Sequence, residues 1–188
     1  HAVITSVDRD DLPDLGAAHW AQTIREIKRL NPETTTEVLI PDFQGRKELV
    51  DQVIKACPEI ISHNMETVKR ISPQVRSAAN YHTSLEVIRQ IAESGITAKS
   101  GIMVGLGETP AEVEELMDDL ISVGCKILTI GQYLQPTHKH FPVAAYITPE
   151  QFAVYKETGL KKGFEQMESA PLVRSSYHAE KHIRFNNK

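Results

Sequence analysis

Residues 99–130 read KSGIMVGLGETPAEVEELMDDLISVGCKILTI, and this stretch decides the fold. It opens on an apolar run, Lys99–Val104, of the kind buried on both faces of a parallel sheet. A glycine-rich turn follows, then Thr109-Pro110-Ala111-Glu112. That quartet is a capping box with proline at the first helical position, so a helix starts there. Val113, Leu116, Met117 and Leu120 recur at helical spacing up to Gly124, and Lys126–Ile130 is apolar and β-branched again. Strand, helix and strand in this order make a parallel crossover unit.

The same unit repeats outward in both directions. Further strand runs are Ala2–Val7, Thr36–Ile40 and Glu59–Ser62, with a weaker one within Phe164–Val173. Between them, Ala17–Leu30 places Trp20, Ile24 and Ile27 on one helix face, and Asn31-Pro32 stops it. Arg46–Ala56 carries Leu49, Val50, Val53 and Ile54 ahead of Pro58. Thr83-Ser84-Leu85-Glu86 reads as a second capping box, with Gly95 as its C-cap. Thr148-Pro149-Glu150-Gln151 starts a last helix that ends near Gly163. The pattern predicts an α/β protein, one domain over residues 1–188, with a parallel sheet and outer helices. The polar, basic tail His178–Lys188 is expected to fray.

Composition narrows the class. At 188 residues, 40% hydrophobic and 24% charged, the chain has the balance of a soluble globular domain. No apolar run reaches the length of a membrane helix, and the first residues lack the pattern of a signal peptide. A net charge of −4 argues against a nucleic-acid partner. Cys57 and Cys125 make neither a disulfide framework nor a zinc ribbon, which suits a reduced, cytoplasmic protein.

Polar residues gather at the strand ends: Asp8 to Asp11, Asp42, His63-Asn64 with Glu66, Gly105 to Glu108, Gln132 with Gln135, and Arg174 to Tyr177. In a parallel barrel these ends share one face, where active sites are built. Gly101, Gly105 and Gly107 fit neither a dinucleotide fingerprint nor a P-loop, yet they let backbone approach a ligand. Of eight histidines, His138/His140 and His178/His182 allow a metal-hydrolase reading, but no H-E-x-x-H signature supports it, and the histidines read mostly as surface residues. Lys99, on a strand, reads either as a Schiff-base lysine or as half of an ion pair.

Taken together, six stretches resemble the lipoyl synthases, a family of radical S-adenosylmethionine (SAM) enzymes. They are Val3–Asp14, Glu37–Phe43, His63–Val68, Lys99–Glu108, Thr129–Thr137 and Pro171–Tyr177, in family order and spacing. The resemblance implies a partial (β/α) barrel with two [4Fe–4S] clusters. One binds SAM and cleaves it to a 5′-deoxyadenosyl radical, which takes hydrogens from C6 and C8 of an octanoyl chain. That chain is linked to a lysine of a lipoyl carrier domain or H-protein. The auxiliary cluster donates sulfur, and a reductant protein supplies electrons.

Residue by residue, the resemblance places Ser6, Asp8 and Asp10 near the SAM amino and carboxylate groups, and Asn64 and Glu66 in the SAM pocket. Gly105, Gly107 and Glu108 belong to an element along the nucleoside, and Gln132 and Leu134 lie near the adenine. Ser175 or Ser176 ligates the auxiliary cluster, and Arg174 is expected to pair with an acidic residue. Leu15 and Ala170 stand where the family usually has glycine. The two cysteine triplets that hold the clusters have no counterpart here, so the resemblance implies a C-terminal piece, its first barrel strand missing, inactive alone and holding no cluster or cofactor. Two other readings stay open on the residues: a cluster-free barrel that binds a nucleotide or carrier protein, and an aldolase-like barrel enzyme using Lys99.

Overall fold

The structure, a computed structural model, describes residues 1–76 and 79–183. Six strands form one sheet: β1 (Ala2–Thr5), β2 (Thr36–Leu39), β3 (Ile60–Ser62), β4 (Thr97–Val104), β5 (Ile127–Gln132) and β6 (Gln166–Ser169). They lie in chain order and every pairing is parallel. Right-handed crossovers between neighbours in sequence put every connecting helix on the same side of a sheet. Such a sheet curls into a partial (β/α) barrel, helices outside and a concave face inside.

The helices are α1 (Ala17–Leu30), α2 (Lys47–Ile54), α3 (Ser72–Val75), α4 (Tyr81–Glu93), α5 (Pro110–Ser122) and α6 (Pro149–Lys162). Their apolar faces meet the outward side chains of the strands. Trp20, Ile24, Val50, Val53, Ile88, Ile91, Leu116 and Met117 pack with Val38, Ile61, Ile102, Leu128 and Ile130 in one core. Strand residues alternate faces, and the inner face receives the polar ones: Glu37, Ser62, Lys99 and Thr129 are all buried yet lie outside that core.

The N-caps show where local sequence decided and where it did not. Thr109 and Glu112 form the expected reciprocal box on α5. Thr148 caps α6 by accepting from Gln151 N. The quartet at Thr83 is no cap: α4 starts three residues earlier, where the Asn80 side chain accepts from His82 N and Thr83 N. Asn is as good an N-cap as Thr, and Thr83 is left inside the first turn. Leu15, at a position the family gives to glycine, has φ of 51° and is buried in the core. A left-handed backbone costs a residue with a side chain about 1–2 kcal/mol, so burial of the leucine is what offsets it.

In the tail, Ala179–Ile183 form a short helical turn with Ala179 and His182 buried. Residues 184–188 lie outside the described residues. Val173, Ala179 and His182 are buried but belong to no helix-side core. They pack on the inner face, so the segment after β6 fills part of the barrel interior.

Candidate functional site

Two cavities open at the C-terminal ends of the strands. The larger, about 520 Å³, is lined by Ser6, Asp8 and Asp10 after β1, Asp42 after β2, and His63, Asn64, Glu66 and Arg76 beyond β3. The smaller, about 210 Å³, is lined by Gly101 and Met103 of β4, Thr129 and Gly131 of β5, Leu134, Arg174 and Ser175. Asn64 and Glu66 line both. One elongated ligand can therefore touch both compartments across this pair.

The pair is held by unusual backbone. Glu66 has φ of 63° and forms an isolated bridge with Ile102. Its N–H donates to Gly101 O (3.1 Å) and its carbonyl accepts from Met103 N (2.8 Å). A carboxylate-bearing residue kept in the left-handed region is a strained one, and here two strand-like hydrogen bonds over-determine it. The Glu66 carboxyl accepts from Asn64 Nδ2 at 3.1 Å. Burial raises its pKa, and the Asn64 bond and the Arg76 charge oppose that rise. The other end of the Asn64 amide, Oδ1, is buried without a partner. It faces the space a Gly101 side chain would fill, 2.8 Å from that Cβ position. A buried unpaired acceptor costs about 1–3 kcal/mol, and this oxygen is free to accept a further donor.

Behind the pair runs a buried network. His63 Nδ1 lies 2.9 Å from Ile40 O and Nε2 lies 2.9 Å from Ser84 Oγ. A carbonyl only accepts, so Nδ1 carries the proton, Nε2 accepts, and the Ser84 hydroxyl donates to it. Ser84 Oγ in turn accepts from Arg76 Nη1 at 3.1 Å, and the same nitrogen donates to Met65 O at 3.2 Å. Burial, with the Arg76 charge adding to it, pushes the His63 pKa down to about 4, against the pull of the Ile40 bond. The imidazole is thus a neutral brace for Arg76, whose guanidinium feels the charges of Glu66, Asp42 and Asp8.

The expected site residues fall into two groups. Ser6, Asp8, Asp10, Asn64 and Glu66 line the larger cavity, and Leu134 and Gln132 the smaller. Asp8 and Asp10 are exposed at its open edge. Gly105, Gly107 and Glu108 line neither cavity. The Glu108 carboxylate accepts from Gly105 N (2.6 Å) and Leu106 N (2.9 Å), so it braces its own loop. A Cβ on Gly105 would stand 2.4 Å from Ala145 O, so the room this glycine frees is filled by the chain itself. The Gln132 amide is likewise occupied, donating to Ala145 O (3.0 Å) and accepting from Ile147 N (2.9 Å). Arg174 makes no ion pair among the described residues; its Nη1 donates to Val173 O at 2.7 Å.

Sequence reasoning singled out neither Arg76 nor Thr129, because each reaches the site through a turn or a strand face that no spacing reveals. The histidines are not all on the surface: His63 and His182 are buried. Lys99 is an ion-paired lysine, with Nζ 2.6 Å from Glu37 Oε1 and neither side chain exposed. It lines neither cavity, and its ammonium is already engaged with Glu37.

Cluster chemistry does not fit these residues. A [4Fe–4S] cluster needs converging thiolates. Cys57 is exposed, and Cys125 is buried with a pKa pushed up to about 12 by desolvation. No group of three or more His, Cys, Asp or Glu among the described residues could hold a metal ion. SAM fits better, since the orphaned Asn64 oxygen, the carboxylates and Arg76 match its donors and its charged ends.

Comparison with known proteins bears on the same site. The family model for the Radical SAM superfamily matches residues 1–120. The chain is 99% identical over 188 residues to a lipoyl synthase from Bacteroides fragilis and spans 65% of that protein. It is 61% identical over 183 residues to one from Treponema denticola, of which it covers 63%. The chain thus spans just under two-thirds of the length of these curated relatives. Among solved structures, SuiB from Streptococcus suis superposes with a TM-score of 0.66 over 99% of this chain and 42% of its own, at 10% identity. A domain of the pyruvate-formate lyase-activating enzyme from Bacteroides vulgatus gives 0.65 over 88% of this chain and 98% of its own, at 15% identity. These two likenesses concern the fold alone.

Proposed function

The chain belongs to the radical SAM superfamily, and from that premise we propose that it is the SAM-binding barrel of a lipoyl synthase. The carrying observation is the 99% identity to the Bacteroides fragilis enzyme across every residue of the chain. The reaction proposed is insertion of sulfur at C6 and C8 of an octanoyl chain on a lysine of a lipoyl carrier domain or H-protein, in the cytoplasm, with a reductant protein supplying electrons.

When bound, SAM supplies hydrogen abstraction from unactivated C–H bonds. The thiolates that would hold its cluster and the auxiliary cluster are not among these 188 residues, and the longer relatives have room for them. This chain's residues bind and orient. Arg76, braced by Ser84 and His63, offers a cation for a carboxylate in the larger cavity. Asp8 and Asp10 offer the charge that holds an ammonium at its rim. Asn64 Oδ1 accepts from a hydroxyl or ammonium at the junction. Gly101, Met103 and Gly131 line the smaller cavity, which offers the nucleoside end its place.

The test uses the full-length enzyme, reconstituted anaerobically with iron and sulfide and given SAM, a reductant and an octanoyl-lysine peptide. Lipoyl-lysine peptide and 5′-deoxyadenosine should both accumulate. Deoxyadenosine with an unchanged octanoyl peptide would assign the barrel to a different radical SAM reaction.

A further inference from the structure

We propose that Lys99 is a positioning residue that fixes the Arg174-Ser175-Ser176 loop against the inner face of the barrel, beside the smaller cavity, by holding the Ser175 carbonyl. An ammonium has three N–H donors, and each Lys99 donor has an acceptor. Nζ lies 2.6 Å from Glu37 Oε1, 2.5 Å from Ser175 O and 3.3 Å from His182 Nδ1. With Nδ1 accepting, the His182 proton sits on Nε2, the atom that is buried without a partner. Glu37 lies on β2 and Lys99 on β4, two strands apart with β3 between them. The inner face of the sheet thus presents a fixed cation to a segment that has no strand of its own there.

The loop has few other anchors. Residues 171–178 form neither helix nor strand. Upstream, Val173 N donates to Ala170 O and Gln132 N to Pro171 O; downstream, Gln166 Nε2 holds Lys181 O. Between these, the Lys99 bond is the tie from the barrel to the serine pair itself. Neither serine hydroxyl takes part in a hydrogen bond among the described residues, while Ser175 lines the smaller cavity beside Asn64 and Glu66. Taking two charges out of water is expensive and is offset only in a satisfied network. A methionine at position 99 would fill the same volume with no such cost. What it could not do is hold a carbonyl of the serine loop, so the geometry assigns the ammonium to placement rather than to packing.

The value of this placement to the reaction rests on the lipoyl synthase reading, in which one of the serines ligates the auxiliary cluster. The experiment therefore has two arms, both on the full-length holoenzyme. The variant is Lys99→Met with Glu37→Leu, which removes both charges and leaves neither one buried alone. Should it fail to fold, Lys99→Gln with Glu37→Gln removes the charges with polar side chains too short to reach Ser175. In the first arm, hydrogen exchange at the backbone amides of Tyr177, Ala179 and Lys181 should quicken at least about tenfold, with exchange in β2 and β4 unchanged. In the second, lipoyl product per 5′-deoxyadenosine should fall at least about tenfold. Adding Ser175→Ala and Ser176→Ala to the charge-free variant should then change that ratio little, because the serines are already displaced. Unchanged exchange, or quickened exchange with an unchanged product ratio, would overturn the proposal. A wild-type enzyme that makes no lipoyl product would sink the functional reading instead, and the exchange arm would still decide whether Lys99 places the loop.

Discussion

His63 makes the stability of this domain sensitive to mild acid, with a magnitude that follows from its burial. The ring is buried at 3% exposure, with both nitrogens engaged in the neutral form. Its pKa falls from 6.5 to about 4 on folding. A base whose folded pKa is depressed binds its proton better in the unfolded chain, so acid favours unfolding. The contribution is fully present above pH 6.5, is lost as pH falls toward 4, and is gone below that. At about 1.4 kcal/mol per unit, the loss across the window is about 3 kcal/mol, a large part of a domain's net stability. Other groups titrate in the same window, so the assay is a difference. Urea unfolding followed by circular dichroism, at several pH values, compares the chain with His63→Gln. The variant lacks the titrating group and should be less stable than wild type at pH 7.5. Its deficit should shrink by about 3 kcal/mol as the pH drops to 4. A deficit constant within about 0.5 kcal/mol over that range would refute a buried neutral histidine.

Three further outcomes follow from local geometry. Thr109→Ala removes the hydroxyl that accepts from Glu112 N, leaves the Thr109 N–H bond to the Glu112 carboxylate, and should lower the unfolding free energy by about 1 kcal/mol, read as an earlier urea midpoint. Gly131→Ala would set a Cβ 2.2 Å from the Val173 carbonyl. It should cost about 1–3 kcal/mol and loosen the segment after β6, seen as faster amide exchange at Val173 while the α1 amides stay protected. Iodoacetamide at pH 8 should alkylate the exposed Cys57 in the native chain and leave Cys125, whose pKa is about 12, untouched until urea unfolds it.

The sheet was legible because its central strands, β2 to β5, are buried almost throughout. Runs such as Thr36–Leu39 and Ile127–Gln132 are apolar enough to stand out, and the glycines and caps between them mark the turns. The same burial hid the inner face. Glu37 and Lys99 are charged residues inside strands, and nothing in their spacing shows that they meet across β3. The start of α4 was misplaced because two cap signals lie three residues apart, and tertiary packing favoured Asn80. At the site, Asp8, Asp10, Asn64 and Glu66 were visible as polar residues just past strand ends. Arg76 was not, since it follows the short helix α3 and reaches the cavity only through its bonds to Ser84 and Met65. Gln132 and Glu108 sit at strand ends too, but their polar atoms are spent on backbone groups of neighbouring loops. Position at a strand end therefore found the residues that line the cavities, and only the count of free donors and acceptors separates those with polar atoms to spare from the braces. The polar composition of the tail hides Ala179 and His182, which are buried.

The central claim is that the junction at Asn64 and Glu66 receives SAM, and binding measures it most directly. Equilibrium dialysis of labelled SAM against the full-length reconstituted enzyme compares wild type with Asn64→Ala and Glu66→Gln, with cluster content matched by iron and sulfide analysis. Losing a buried hydrogen bond to a ligand costs about 1.5–3 kcal/mol when a charge is involved. The account predicts that Asn64→Ala weakens SAM at least about tenfold, with a smaller loss for Glu66→Gln. SAM affinity equal to wild type in both variants would contradict it.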